Sequence, residues 1–276
     1  MNECYSKRFI LNGEIQPAEQ FDNSLVYEGN SIYEVIRMSK GSPVFFYDHM
    51  ERLESSTRIQ NRKMLADAVT LRKDIVNLTK YDRKKETNLK IVFNYNGDLS
   101  NYLIYFIESI YPTDEQYRKG VIGILFYAER KDPGSKVINH KLRSSIYHKL
   151  ILDGGYEALL VNENGEITEG SRSNIFFLKE GTLVTAPDSM ILNGITRKHI
   201  LEICTEEKIP VSLSCVKADG ISGFEAVFMT GTSPMVLPFC SVDDKSFKVG
   251  NPIIGKLRQL YILRAEESIN RFRSGI

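Results

Sequence analysis

Glu166-Ile-Thr-Glu-Gly-Ser-Arg-Ser-Asn-Ile-Phe-Phe177, followed by Leu192-Asn-Gly-Ile-Thr-Arg197, decides how this chain reads. Short strands over Ala158 to Val161 and Glu166 to Thr168 flank Asn164-Gly165, and strands over Asn174 to Leu178 and Thr182 to Thr185 flank Lys179-Glu-Gly181. Strands joined by such tight turns pair antiparallel. Asn193-Gly194 is then a turn signal directly before a helix over Thr196 to Lys208. The amides of Ile195 and Thr196 would therefore stand unpaired at the positive end of a helix dipole, a ready seat for an anion. Glu169 ends a strand and precedes Gly170-Ser171, a place where a carboxylate projects from a sheet edge. A carboxylate, a run of small turn residues and a helix start in so short a stretch make an enzyme the leading expectation.

On the N-terminal side the pattern predicts a hairpin of Lys7 to Leu11 with Gly13 to Gln16, then strands over Ser31 to Arg37 and Pro43 to Tyr47. Asp48 opens a helix, with Glu51 three residues on completing a capping box. Leu65 to Thr79 is a second amphipathic helix, and Asn88 to Asn94 pairs with Tyr102 to Ser109 around Asn96-Gly97. From Ile110 to Gly120 the apolar pattern gives way to Pro and charge, the mark of a domain linker. The chain thus reads as a small domain over residues 1–115 and a large one over 116–276. In the second, Val121 to Ala128 is a strand, and Ile138, Leu142, Ile146 and Leu150 trace a helix stopping at Asp153-Gly154-Gly155. Ala226 to Thr230 is a further strand, with Thr230-Gly-Thr-Ser-Pro234 as an anion-cradling turn after it, and Ile253 to Arg271 is a long helix. Hairpins mixed with crossovers indicate an α+β chain with mixed, largely antiparallel sheets.

Composition narrows the function classes. With 276 residues, 42% of them hydrophobic and 26% charged, the chain is an ordinary globular one. A formal charge of +1, from 36 basic and 35 acidic residues, leaves no electrostatic footprint for nucleic acid or anionic lipid. The stretch after Met1 lacks an apolar run of signal-peptide length, and the densest apolar run, Tyr102 to Ile107, is too short to span a bilayer. A cytoplasmic protein is expected. Cys4, Cys204, Cys215 and Cys240 are far apart, with neither disulfide-framework nor metal-ligand spacing, so no metal is expected.

The block Thr168-Glu-Gly-x-x-x-Asn174-x-Phe176 together with Gly194-Ile-Thr-Arg197, Tyr33-Glu-Val-Ile-Arg37, Asp48-His-Met-Glu-Arg-Leu53 and Gly231-Thr232 resembles the fold type IV pyridoxal-phosphate enzymes. These are the class IV family of branched-chain and D-amino-acid aminotransferases and aminodeoxychorismate lyase, and the resemblance covers nearly the whole chain. It implies a D-amino-acid aminotransferase-like fold, pyridoxal 5'-phosphate as cofactor, and a homodimer whose sites lie between domains and borrow residues from the neighbouring subunit. It also implies that the Schiff-base lysine begins a Lys-x-x-Asn stretch. Lys136-Val-Ile-Asn139, ahead of Tyr156-Glu-Ala-Leu-Leu160, meets this; Lys141 is the competitor, but it would shorten the intervening helix. By the same resemblance Glu169 faces the pyridine nitrogen and Arg52 clamps the phosphate with the Ile195 and Thr196 amides and Gly231-Thr232, while Asn174 belongs to the cofactor site. Lys136 and Glu169 are then the catalytic pair.

Substrate contacts are expected from Tyr33, Arg37, Arg172 and Ser233. Arg172 takes a place often held by a small residue, and both a substrate-carboxylate contact and a dimer contact suit it. Asn96 stands where D-amino-acid aminotransferases carry an arginine, and Glu28 where the family usually offers Phe or Tyr, which marks an altered pocket. The expected reaction moves an amino group between an amino acid or amine and a 2-oxo acid. An aminodeoxychorismate lyase releasing pyruvate and 4-aminobenzoate is the alternative, since Leu89-Lys-Ile-Val92 resembles the lyases' strand. A cofactor-binding protein without turnover, or a sheet-rich interaction module, is the third possibility.

Overall fold

Ile32, Glu34, Ile36 and Met38 occupy every second position of one extended segment, and all four are buried in the computed structural model, which describes residues 3–82, 84–130 and 132–275. By contacts the chain forms two units: the first takes the residues up to Ile110, Ser135–Ile138 and those from Ala265 onward, and the second takes Tyr111–Gly134 with Asn139–Arg264. The first contains β1 (Arg8–Leu11), β2 (Glu14–Pro17), α1 (Ser24–Tyr27), β3 (Asn30–Ser39), β4 (Ser42–Pro43), α2 (Phe46–Ile59), α3 (Ala68–Tyr81), β5 (Thr87–Asn96) and β6 (Leu99–Ile107). Its strands form one antiparallel sheet in the order β2-β1-β6-β5-β3-β4.

Period-two alternation sorts the side chains of this sheet onto two faces. Ile32, Ile36, Leu89, Ile91 and Phe93 pack under Phe46, Met50 and Leu53 of α2 and Leu71, Ile75 and Leu78 of α3. Val92, Leu103 and Tyr105 turn the other way, against Phe9, Phe21 and Val26. Asp67 caps α3 by accepting from the Thr70 amide at 2.8 Å.

Two expectations around residue 45 fail. Pro43 to Tyr47 is not a strand: pairing stops at Pro43, and α2 already begins at Phe46. Phe45 precedes it in the left-handed region at φ 52°, and no side chain caps the helix, so the Asp48–Glu51 capping box does not form and Asp48 sits inside the first turn. The aromatic run is buried by coiling, with Phe46 meeting Tyr47 and Phe272 edge to face at 5.3 and 5.2 Å. A complete capping box occurs instead at Thr113 and Gln116.

The second unit contains α4 (Asp114–Lys119), β7 (Val121–Tyr127), α5 (His140–Asp153), β8 (Glu157–Val161), β9 (Glu166–Gly170), β10 (Asn174–Lys179), β11 (Thr182–Thr185), α6 (Ile195–Glu206), β12 (Val211–Leu213), β13 (Val216–Lys217), β14 (Ala226–Gly231), β15 (Met235–Val242), β16 (Lys245–Ser246) and most of α7 (Pro252–Ser274). Its sheet runs β12-β11-β10-β14-β15-β7-β8-β9-β13, with β16 beside β15. Among the described residues only β7 with β8, β7 with β15 and β11 with β12 pair parallel, so both sheets of this α+β chain are largely antiparallel. Ile175, Phe177, Val227, Met229, Leu237 and Phe239 form its core. On the opposite face Phe176 and Phe228 stack at 5.0 Å. Among the described residues no helix is long and apolar enough to cross a membrane.

Two glycines at positive φ separate a conformational from a packing requirement. Gly154 ends α5 at φ +67° with open space around a hypothetical Cβ, whereas at Gly120, φ +78°, that Cβ would stand 2.7 Å from the Cys240 backbone nitrogen. Gly154→Ala is expected to cost about 1 kcal/mol, the left-handed penalty alone. Gly120→Ala is expected to cost about 2 kcal/mol or more, because strain and overlap add. Urea denaturation midpoints of the two variants check the order.

Candidate functional site

Lys136 is held by its backbone before its side chain is considered. The segment 135–138 lies along β3: Tyr33 N–H donates to Lys136 O at 3.0 Å, Ile138 N–H to Ser31 O at 3.1 Å, and Ile32 and Val137 form a bridge. From the side of α2, Ser56 Oγ accepts from Lys136 N–H at 3.3 Å, and Gln60 Nε2 donates to the buried Ser135 Oγ at 2.9 Å. The lysine thus has a fixed root. Its Nζ stands 4.9 Å from the centroid of the Tyr33 ring, a cation–π distance.

On the other face of β3 sits a fully buried carboxylate. Glu34 accepts from Arg52 Nε at 2.8 Å and Nη2 at 2.6 Å, a bidentate fork, and lies 2.7 Å from His49 Nδ1. His49 and Arg52 are three apart on α2, hence on one helix side. Burial alone would raise the Glu34 carboxyl, but the Arg52 charge and the hydrogen bonds from Arg52 and His49 outweigh it and hold it at about 2. Burial depresses His49 more than Glu34 raises it, so the ring is neutral at pH 7 with Nδ1–H donating to Glu34. The fork fixes the position and plane of the Arg52 guanidinium.

In the second unit Glu169, at the end of β9, is 3% exposed. Its Oε2 accepts from Leu192 N–H at 3.2 Å, and its Oε1 lies 3.3 Å from Arg130 Nη1. Asn174 Nδ2 donates to Leu192 O at 2.9 Å, so the backbone of one residue is held at its N–H and its C=O by two expected site residues. That residue leads into α6, whose N-cap, Gly194, brings no side chain to the amides of the first turn. A Cβ on Gly194 would fall 2.1 Å from Asn174 Oδ1, so only glycine permits this approach. Thr196 Oγ1 is 3.1 Å from the Tyr261 hydroxyl. Thr230, opposite Asn174 across β10 and β14, has a buried hydroxyl with no hydrogen-bond partner among the described residues. Gly231 closes β14, with Thr232 and Ser233 in the turn beyond it.

The remaining expected residues are placed less centrally. Arg37 shares a β3 face with Tyr33 but lies four residues along the strand, about 13 Å away, with Glu86 3.9 Å from its Nη2. Arg172 is exposed and donates to Tyr156 O at 3.1 Å. Sequence reasoning missed Glu34, Arg130 and Glu157. Glu34 was readable as the one charge among the inward apolar positions of β3. Glu157 is buried at the start of β8 and accepts from Ser171 N–H at 3.0 Å, from the Ser171 hydroxyl, and from Ser173 Oγ at 3.0 Å, which shapes the turn between Glu169 and Asn174. Nothing local in the sequence marks that role, or Arg130.

The model of the family described as amino-transferase class IV matches residues 31–242. The D-alanine aminotransferase of Bacillus licheniformis is 25% identical over 235 residues, covering 81% of this chain and 83% of its own. A probable branched-chain-amino-acid aminotransferase of Aquifex aeolicus is 26% identical over 310 residues, covering 99% and 97%. Among solved structures, the branched-chain aminotransferase of Thermoproteus uzoniensis shares the fold with a TM-score of 0.84 at 23% identity, covering 97% of each chain.

Removing the Glu34 charge leaves Arg52 facing a neutral group with little water, so Glu34→Gln is expected to destabilise by about 3 kcal/mol at pH 7. The sign with pH is fixed by a folded value, about 2, below the ordinary 4.5. The stabilisation is complete above 4.5 and is lost as pH falls toward about 2, so the gap between wild type and variant narrows across that window. Urea titrations at a series of pH values measure it.

Proposed function

The chain belongs to the class IV aminotransferases and is an enzyme of that class, and on that premise we propose that it is a pyridoxal-phosphate-dependent transaminase exchanging an amino group between an amino acid or amine and a 2-oxo acid. The observation that carries this reading is the Leu192 backbone held at its N–H by Glu169 and at its C=O by Asn174, which ties a buried carboxylate to an uncapped helix start. The donor set suits the cofactor. Uncapped amides of Ile195 and Thr196, the unpaired Thr230 hydroxyl and the Gly231-Thr232 turn suit an anionic tail. A buried carboxylate whose neighbour here is the Arg130 guanidinium suits a protonated ring nitrogen.

When bound, pyridoxal 5'-phosphate supplies the aldehyde that takes up the amino group and a ring that accepts the electron pair released at the substrate carbon. Lys136 holds the cofactor and then, as a free amine, moves the proton to and from that carbon; its fixed backbone limits the places the Nζ reaches. Glu169 keeps the ring nitrogen protonated, and the Leu192 amide holds the carboxylate in place. Arg52, planar and oriented by Glu34, meets the phosphate. Tyr33, beside Lys136, borders the substrate, with Arg37, Arg172 and Ser233 as further contacts in this reading.

Lys136→Ala is expected to keep the fold and lose the visible absorption band of lysine-bound cofactor, whereas Lys141→Ala keeps it. Glu169→Ala is expected to retain cofactor and turn over on the order of a hundredfold more slowly. Spectra with an amino donor alone test the reaction: a transaminase passes to the amine form of the cofactor. Release of pyruvate and 4-aminobenzoate from aminodeoxychorismate with the spectrum unchanged would instead identify a lyase, and a protein colourless with added cofactor would refute both.

A further inference from the structure

The hairpin between β14 and β15 carries one half of the proposed anion seat, and its own residues do not suffice to hold it. Gly231 pairs with Met235, so Thr232, Ser233 and Pro234 form the loop between them. Hairpin loops of this length close through a left-handed residue, for which glycine is the usual choice. Here that place falls to Met235 at φ 51°, where a side chain adds strain. The turn therefore needs support from outside itself.

Tyr117 supplies it. Its hydroxyl donates to Pro234 O at 3.0 Å from within α4. That helix is short but fixed at both ends: Thr113 and Gln116 form its capping box, and Gly120 lies against the Cys240 backbone on β15. The Arg258 guanidinium rests 3.7 Å from the centroid of the Tyr117 ring, a cation–π stack that fixes the plane of the ring. Arg258 Nε is buried with no hydrogen-bond partner among the described residues, so the stack is not incidental to a salt bridge at that atom.

Arg258 and Tyr261 are three residues apart on α7 and share a side of that helix. Tyr261 is 4% exposed and puts its hydroxyl 3.1 Å from Thr196 Oγ1 in the first turn of α6, the other half of the seat. One side of α7 thus bears on both backbone elements from which an anionic tail would take its donors. All of these residues belong to the second unit.

We infer that Tyr117 and Tyr261 are positioning residues of the phosphate seat: Tyr117 holds the Gly231–Pro234 turn, Tyr261 holds the start of α6, and Arg258 ties the first to the helix that carries the second. Neither tyrosine has to touch the phosphate, since each acts through the backbone or hydroxyl it holds. The inference rests on the transaminase reading for the identity of the ligand, but the anion seat itself does not.

Tyr117→Phe and Tyr261→Phe keep each ring, and with it the packing, and remove only the hydroxyl. The full-length wild type and both variants are titrated calorimetrically with pyridoxamine 5'-phosphate, with pyridoxamine, which lacks the phosphate, and with inorganic phosphate. Each variant is expected to bind the two phosphate-bearing ligands about fivefold more weakly, the worth of one hydrogen bond, and pyridoxamine as tightly as the wild type does. An equal loss for pyridoxamine and its phosphate ester marks a general loosening of the fold and overturns the inference. Unchanged phosphate affinity in either variant overturns it too, as does a wild type that binds neither phosphate-bearing ligand. A phosphate-selective loss in a protein that transfers no amino group keeps the seat and rejects the transaminase reading; amino-group transfer without the selective loss does the reverse.

Discussion

A carboxylate removed from water has to collect donors, and three such groups, Glu34, Glu157 and Glu169, organise the chemistry-bearing parts of this chain. Each sits on a hydrogen-bonded strand and is met there by donors from other segments. Glu34 draws Arg52 and His49 from α2, Glu157 draws the serines of the turn after Glu169, and Glu169 draws the Leu192 peptide and with it the approach to α6. Hydrophobic packing builds the two sheets. The buried carboxylates decide which loops and helix ends are held still beside them.

Lys136, the amine to which the proposed reaction gives the proton transfer, is fixed instead by its backbone. A proton-moving amine works only within a hydrogen bond's reach of its target, and a lysine with four rotatable bonds meets that requirement best when its backbone is fixed. Here β3 and α2 fix it, through bonds to Tyr33, Ser31 and Ser56. The two faces of β3 thereby divide the work. One carries Glu34 toward Arg52; the other carries Tyr33 between the Lys136 and Lys90 ammonium groups. Period-two alternation turns two adjacent residues into parts of two different environments.

Much of the second unit was legible because its signals are local. Asn164-Gly165 closes a hairpin with Gly165 at φ +74° and Asn162 accepting from the Asn164 and Glu166 amides, so turn chemistry alone located it. Gly194 before α6 was equally plain, and its reason proved stronger than a turn preference, since Asn174 leaves no room for a Cβ. The stretch from Pro43 to Tyr47 was misread because an aromatic-rich apolar run has no period of its own. Which way such a run coils depended on Phe272, distant in sequence, and on Phe45 entering the left-handed region. Lys136 became a candidate only through family resemblance, because no property of its neighbours sets it apart from the other lysines.

By itself the sequence determined the elements whose causes lie within a few residues: the hairpin turns, the uncapped start of α6, the alternation that makes β3 two-faced, and the family motifs. Tertiary structure alone decided which buried charges meet. The pairing of Glu34 with Arg52, the gathering of two serines by Glu157, the hold on the Leu192 backbone and the burial of Lys90 against Glu3 join residues that are remote or unremarkable in sequence. The physical reason is that charge pairing is set by distance and desolvation, which come into being only once strands are in register and segments such as Ser135–Ile138 return to the sheet edge.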